Sequence, residues 1–337
     1  MLTSSHHTAS VQGGPRPYIA AKSTLRSLII VLAVLPLLIG GQVITAQEAT
    51  EEPGEDTTDF AIPRPEPSTT FDADEVTVNV LFDAIPQGRI GVLHIPTEGV
   101  TGARVRFRDQ LAEFFPVEGE GLFGIIAVNM DLPPRAYEFS VLAFMETGDR
   151  VTVRGQFNVT LGGFIRQDFE LTSDRAFLAD PQIERVEFAR LDSVQDDVTP
   201  ERSWADGGFQ IPIDSEITSP FGAFRIINEN TETRHTGWDV RAPVGTPIMA
   251  MGAGTVAFAG LMDIRGNHVI IDHGYGIYSG YSHLSQVHVT RGQPITRGQI
   301  IGMTGNTGRS NGPHLHWEVT VNEEWVDSVD FLLTWLP

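Results

Sequence analysis

The chain has 337 residues, enough for two domains that each bury a core, and its 41% hydrophobic and 20% charged residues are a globular composition. Its formal net charge is −20, or −23 (20 basic against 43 acidic residues) without Arg16, Lys22 and Arg26 of the leader, which argues against nucleic acid or anionic lipid as main partner. Cysteine is absent, so the folds rest on packing rather than disulfides, a lipidated cysteine anchor is excluded, and any metal must be held by His, Asp or Glu.

Residues 1–46 carry those three basic residues, no acidic one, an apolar run from Leu28 to Ile39, and Ile44-Thr45-Ala46. This is the pattern of a secretory signal with a cut after Ala46. The rival is an uncleaved membrane anchor, since Leu28 to Ala46 as one helix would span about 28 Å of a hydrocarbon core of roughly 30 Å. Pro36, Gly40, Gly41 and Gln42 weaken that reading. Both place the rest of the chain outside the cytoplasm: secreted, periplasmic or in the cell envelope, with a membrane tether in the second case. Residues 47–70 are acidic and rich in Pro and Thr, the composition of an extended linker.

From 71 to 172 about seven short alternating runs, from VTVNVLF to IRQDFEL, recur at roughly ten-residue spacing. The expectation is an immunoglobulin-like β-sandwich, with Thr147-Gly148-Asp149 as a hairpin turn and His94 as a structural residue. Residues 173–203 form a helical linker: Asp180-Pro181 supplies an N-cap and N1 proline, and Ile183, Val186, Leu191 and Val194 predict a short helix over 181–194. From 204 to 337 Gly-rich turns separate further strands, so the second domain is also all-β.

Of the ten histidines, two lie in the leader, one in the first β-domain and seven after residue 204. In GPHLHWEV, residues 312–319, His314 and His316 share one face of a strand. HTGWDV, residues 235–240, adds His235 and Asp239, and imidazole with carboxylate is a set that zinc accepts. A catalytic zinc wants three protein ligands and an open position, met by His235, Asp239 and one of the 314/316 pair. On an extended strand His235 and Asp239 would stand about 13 Å apart, and Gly237 and Pro243 argue against a helix. His235 is therefore expected on a loop entering a strand, with Gly237 permitting the turn. The other histidine of the pair, together with His283 of YSHLS, would face the site without binding metal and serve as proton acceptor and donor. His268, His273 and His288 match no such position.

Four stretches carry a resemblance: ITSPFGAFR at 217–225, HTGWDVRAPVGTPIMAMGAGTVAFAG at 235–260, GNHVIIDHGYGIYSGYSHLS at 266–285, and GQIIGMTGNTGRSNGPHLHWEV at 298–319. From about Phe209 to Leu333 the chain resembles the lysostaphin-type zinc metalloendopeptidases, which cut peptide cross-links in bacterial peptidoglycan. The resemblance implies an antiparallel β-sheet peptidase domain of the duplicated hybrid motif fold. It implies one Zn2+ on His235, Asp239 and His316, with His314 and His283 as catalytic histidines. The implied substrate is the stem peptides and cross-bridges of peptidoglycan, hydrolysed by an activated water with a histidine base. The alternative is a latent or non-catalytic envelope regulator that activates other wall hydrolases. Where the family reads Val-Asp-Pro this chain has Val326-Asp327-Ser328, and Asn311 stands where a threonine is usual. Neither touches an implied ligand. With no wall-binding tail following Pro337, the reading leans towards cross-links at D-alanine rather than glycine bridges.

Overall fold

Strand β1 (Thr69–Ala73) pairs antiparallel with β2 (Val76–Val80). A computed structural model describes residues 62–337 except 197, 206 and 230; the leader and most of the acidic linker lie outside the described residues. Among the described residues pairing thus starts two residues before the expected boundary at 71.

The first region holds β3 (Ala84–Pro86), β4 (Ile90–Ile95), β5 (Val100–Phe107), β6 (Gln110–Glu113), β7 (Phe115–Val117), β8 (Gly121–Ala127), β9 (Ala136–Met145) and β10 (Arg150–Thr160). They form two five-stranded sheets, ordered β1-β2-β4-β8-β7 and β3-β10-β9-β5-β6. Alternation explains the faces: β10 is buried at every second residue, as a strand with one wet face should be. Val76, Val78, Val80, Leu93 and Ile95 of the first sheet share one apolar cluster with Val105, Phe139, Val141 and Phe157 of the second. Six of the seven expected runs are among these ten strands; the other four are β1, which starts ahead of the expected boundary, and β3, β6 and β7, which have only three or four residues and show no readable alternation. The hairpin at Thr147-Gly148-Asp149 is present, with Gly148 at φ +88°.

IRQDFEL does not join these sheets. After Gly162-Gly163 the chain turns away, and β11 (Arg166–Phe169) pairs parallel with β13 (Phe224–Ile227), after the short β12 (Ile217–Ser219), and β13 pairs with β14 (Thr231–Arg234). The pull is apolar: Phe169 and Leu171 pack with Leu178 and Ile227. Helix α1 (Pro181–Gln195) follows, capped by Asp180, whose side chain accepts from the Gln182 amide.

The second region continues with β15 (Trp238–Arg241), β16 (Pro247–Met249), β17 (Gly254–Met262), β18 (Gly266–Gly274), β19 (Ile277–Leu284), β20 (Gln286–Val287), β21 (Pro294–Ile295), β22 (Ile300–Met303), β23 (His314–Val321), β24 (Glu324–Val326) and the short helix α2 (Ser328–Leu333). Its main sheet runs β12-β15-β23-β19-β18-β17-β21, antiparallel throughout, with β24 on β23. The central β19 is buried along its whole length, so both of its faces are covered. Phe115, Phe123 and Ile125 of the first region share a core with Trp204, Trp317 and Phe331 of the second. The described residues accordingly fall in one compact unit. Among the described residues no helix is long and apolar enough to cross a membrane.

Candidate metal centre

Strand register builds the site. Asp239 of β15 lies opposite His316 of β23, and His316 lies opposite Ser282 of β19, so neighbouring strands turn side chains to one face. His235 stands on the loop between β14 and β15, as its spacing from Asp239 required. Gly237 has a different task from the one expected. Its φ is not in the left-handed region; instead a Cβ there would meet the Trp317 carbonyl at 2.4 Å and His316 Cε1 at 3.0 Å. Close approach of the loop to β23 demands glycine.

Three ligand-type atoms converge. His235 Nε2 lies 3.0 Å from Asp239 Oδ1 and 3.0 Å from His316 Nδ1, and the last two are 2.9 Å apart. The residues are 2%, 7% and 7% exposed. A tetrahedral ion with bonds of about 2.0–2.1 Å would hold its ligands about 3.3 Å apart, close to this triangle.

The outer contacts decide which nitrogens are free. His235 Nδ1 donates to the Pro220 carbonyl at 2.7 Å, which leaves Nε2 a lone pair. His316 Nε2 donates to Glu318 Oε2 at 3.2 Å, which turns Nδ1 inward. Arg225 takes the far oxygen of Asp239, donating from Nη2 to Oδ2 at 2.6 Å. Each ligand-type side chain is thus oriented from behind, an arrangement typical of metal sites. Three acceptors so close call for a proton or a metal cation among them. Zinc fits this donor set of two imidazoles and one carboxylate.

Burial lowers His235 to about 4, against the pull of Asp239. Burial would raise Asp239, but His235 and Arg225 outweigh it and hold the carboxyl well below its usual range. Burial would also lower His316, yet hydrogen bonds and charge attraction from Asp239 and Glu318 win and hold it above the usual imidazole range. A proton on His316 Nδ1 therefore competes with metal. Apparent zinc affinity is expected to be flat above that raised value and to fall about tenfold per pH unit below it, one proton leaving per ion bound. His235 adds no second proton until pH approaches about 4. Competition titrations from pH 5.5 to 8.5 check this.

Two further imidazoles stand beside the triangle. His314 donates from Nδ1 to the Gly312 carbonyl at 2.7 Å, leaving Nε2 open 3.5 Å from Asp239 Oδ1. His283 donates from Nδ1 to the Thr307 carbonyl at 2.8 Å, and its ring centroid is 4.7 Å from that of His314. Alternation from Ser282 would send His283 to the other face of the sheet. Its φ of +62°, rare for a non-glycine residue, brings the ring back. Asp239 and His314 open onto a cleft of about 600 Å³ that Gln167 and Phe169 of β11, Arg225 and Asn311 also line.

The remaining histidines lie elsewhere. His268 and His273 are fully buried and bonded to the Tyr281 and Ala253 carbonyls, His288 is exposed, and His94 stacks on Phe123. Sequence reasoning missed Arg225 and Glu318, which orient the triangle; the Glu318 signal was its place two residues after His316 on the same strand face.

Comparison with known proteins agrees with this geometry. Residues 233–328, which include all five groups, match the profile of Peptidase family M23. Residues 233–328 are thus a Peptidase family M23 domain. Its M23 domain is 40% identical over 129 residues to the DD-carboxypeptidase/endopeptidase Mpg of Neisseria meningitidis, covering 38% of this chain and 30% of that protein. It is 40% identical over 121 residues to the peptidoglycan DD-endopeptidase ShyA of Vibrio cholerae, covering 35% of this chain and 28% of that one. The chain thus spans less than a third of either relative's length. A crystal structure of a putative M23 peptidase from Pseudomonas aeruginosa superposes with a TM-score of 0.56 and 26% identity, covering 74% of this chain and 95% of that one.

Proposed function

We propose that this M23 protein is a zinc endopeptidase that hydrolyses peptide cross-links of bacterial peptidoglycan, outside the cytoplasm. The observation that carries the reading is the convergence of His235 Nε2, Asp239 Oδ1 and His316 Nδ1 within 3.0 Å, each turned inward by a fixed partner. A bound zinc would supply Lewis-acid chemistry: it lowers the pKa of water and polarises a carbonyl. The chain's own residues do the rest. His314 and His283 each hold Nδ1–H on a carbonyl, so each presents a lone pair at Nε2. One takes the proton of the attacking water; the imidazolium so formed can then donate to the departing amine. We assign the base to His314, which opens onto the cleft, and not to His283, which burial, then His314 and His316 nearby, hold well below the usual imidazole range. His283 is left to orient the attacking water, whose O–H can donate to its Nε2.

Names of relatives support the substrate class, since those of Mpg and ShyA both specify DD-endopeptidase chemistry. Cross-links at D-alanine are therefore the bond we assign. We read residues 69–160 as an immunoglobulin-like sandwich, supported by the two five-stranded sheets around one core.

A second reading, a latent or non-catalytic regulator, draws on the segment between the two regions. Asn311 Nδ2 donates to the Glu170 carbonyl, and Arg175 donates to the Asn306 carbonyl at 2.9 Å and to that of Ser310, so this segment is tied to the loop before His314. One experiment separates the two. Protein from residue 47 onward is expected to contain about one zinc and to clear purified peptidoglycan in a turbidity assay. Chelation should abolish clearing and zinc should restore it. Stoichiometric zinc without clearing favours the latent form, and no zinc uptake at all removes the enzyme reading.

A further inference from the structure

Behind Glu318, which orients His316, stand two further buried charges without a task, Glu187 and Arg265. Glu187 of α1, Arg265 between β17 and β18, and Glu318 of β23 are only 4%, 3% and 4% exposed. Arg265 donates from Nε to Glu318 Oε1 at 2.8 Å and from Nη2 to Oε2 at 2.8 Å, a two-pronged contact that fixes the carboxylate plane. Its Nη1 donates to Glu187 Oε1 at 3.1 Å. Glu187 is pinned in turn by the amides of Ile264 at 2.7 Å and Arg265 at 3.1 Å. At the other end Glu318 Oε2 accepts from Thr236 Oγ1 at 2.9 Å and from His316 Nε2 at 3.2 Å.

Buried ion pairs of this kind are seldom needed for stability, since apolar residues of equal volume do as well or better. Here the chain ends on a metal ligand. We propose that Glu187 and Arg265 are positioning residues for the metal centre: they clamp Glu318 so that it holds the His316 ring with Nδ1 towards His235 and Asp239. The inference rests on the metal reading above and extends it. Glu187 lies outside the M23 match at 233–328, on the helix that joins the two regions. A residue from outside the peptidase fold thus reaches, through two side chains, the ligand at its centre.

Glu184 offers an internal control. It lies one turn earlier on α1, where it accepts from Thr233 Oγ1 at 2.6 Å and pairs with Arg309 at 3.0 Å, but it does not touch Glu318 or Arg265. Removing its charge weakens helix docking without touching the clamp. The test compares the zinc dissociation constants of parent, Glu187→Gln, Arg265→Lys and Glu184→Gln in the full chain, by competition with a chromogenic chelator at one pH. Melting temperatures of the zinc-free proteins are read alongside.

Arg265→Lys keeps the charge but loses the fork, and should weaken zinc binding about 10–100-fold, the usual effect of an outer partner. Glu187→Gln should weaken it about 3–10-fold, one step further out. Glu184→Gln should lower the melting temperature and leave zinc affinity within about twofold. Folded Glu187→Gln and Arg265→Lys proteins with parental affinity would overturn the proposal, as would a Glu184→Gln loss equal to that of Glu187→Gln. Should Arg265→Lys fail to fold, Glu187→Gln against Glu184→Gln decides. A parent that takes up no zinc would instead remove the metal reading itself, a result confined to no variant.

Discussion

Replacing His316 by alanine is expected to remove both the metal and the activity while leaving the fold intact. His316 supplies one of three inward atoms, and it sits between Asp239 on one neighbouring strand and Ser282 on the other. Two remaining ligands hold an ion far less well: the loss should be about 1,000-fold or more, beyond the 10–100-fold typical of an outer partner. Wall clearing should fall below detection, because the metal chemistry has no substitute among the other side chains. The backbone pairing of β23 with β15 and β19 does not depend on the imidazole, so circular dichroism should be unchanged. Elemental analysis and turbidity, read on the same preparation, check the outcome. A variant that keeps its zinc would show that His316 is not a ligand and would move the site elsewhere.

Much of this site was readable from residue order, and the reasons are physical. His314 and His316 two apart on a strand must share a face, and Gly237 with Pro243 excluded a helix for His235 and Asp239. What could not be read was conformation off the regular path. Strand alternation places His283 on the wrong face, and only its φ of +62° returns it to His314. Long side chains from distant segments were equally hidden: nothing local to Glu187, 78 residues before Arg265, marks it as that residue's partner. The fold was legible in its strands and in the one long helix among the described residues, Pro181–Gln195 against an expected 181–194. It was not legible in partner choice. IRQDFEL alternates as an edge strand of the first region would, yet apolar contact with Leu178 and Ile227 carries it to β13 and to the rim of the cleft.

That placement bears on function, because Gln167 and Phe169 of β11 line the cleft that Asp239 and His314 open onto. The segment joining the two regions therefore shapes what can approach the metal centre. Differences in bond preference between relatives are then to be sought in such lining residues rather than in the triangle, since groups that touch the substrate decide discrimination.

His314→Ala should separate catalysis from metal binding. His314 Nε2 faces the cleft, 3.5 Å from Asp239 Oδ1, with the side chain 17% exposed, whereas the ring's other nitrogen is held on the Gly312 carbonyl. It is placed to exchange protons with a bound substrate and water, not to complete the triangle. Zinc content should stay at about one per chain while turnover falls about 10²–10⁴-fold, the range spanned by loss of a general acid or base. His283→Ala should also keep its zinc, with a smaller loss. Burial, then His314 and His316 beside it, keep His283 a weak base, so it contributes by orientation and hydrogen bonding. The asymmetry is the decisive result: a larger fall for His283 than for His314 would exchange their roles, and loss of zinc from either would make that residue a ligand. Titrating the surviving activity against pH then identifies the base, because the variant lacking it should lose the limb of the profile that rises as the imidazole sheds its proton.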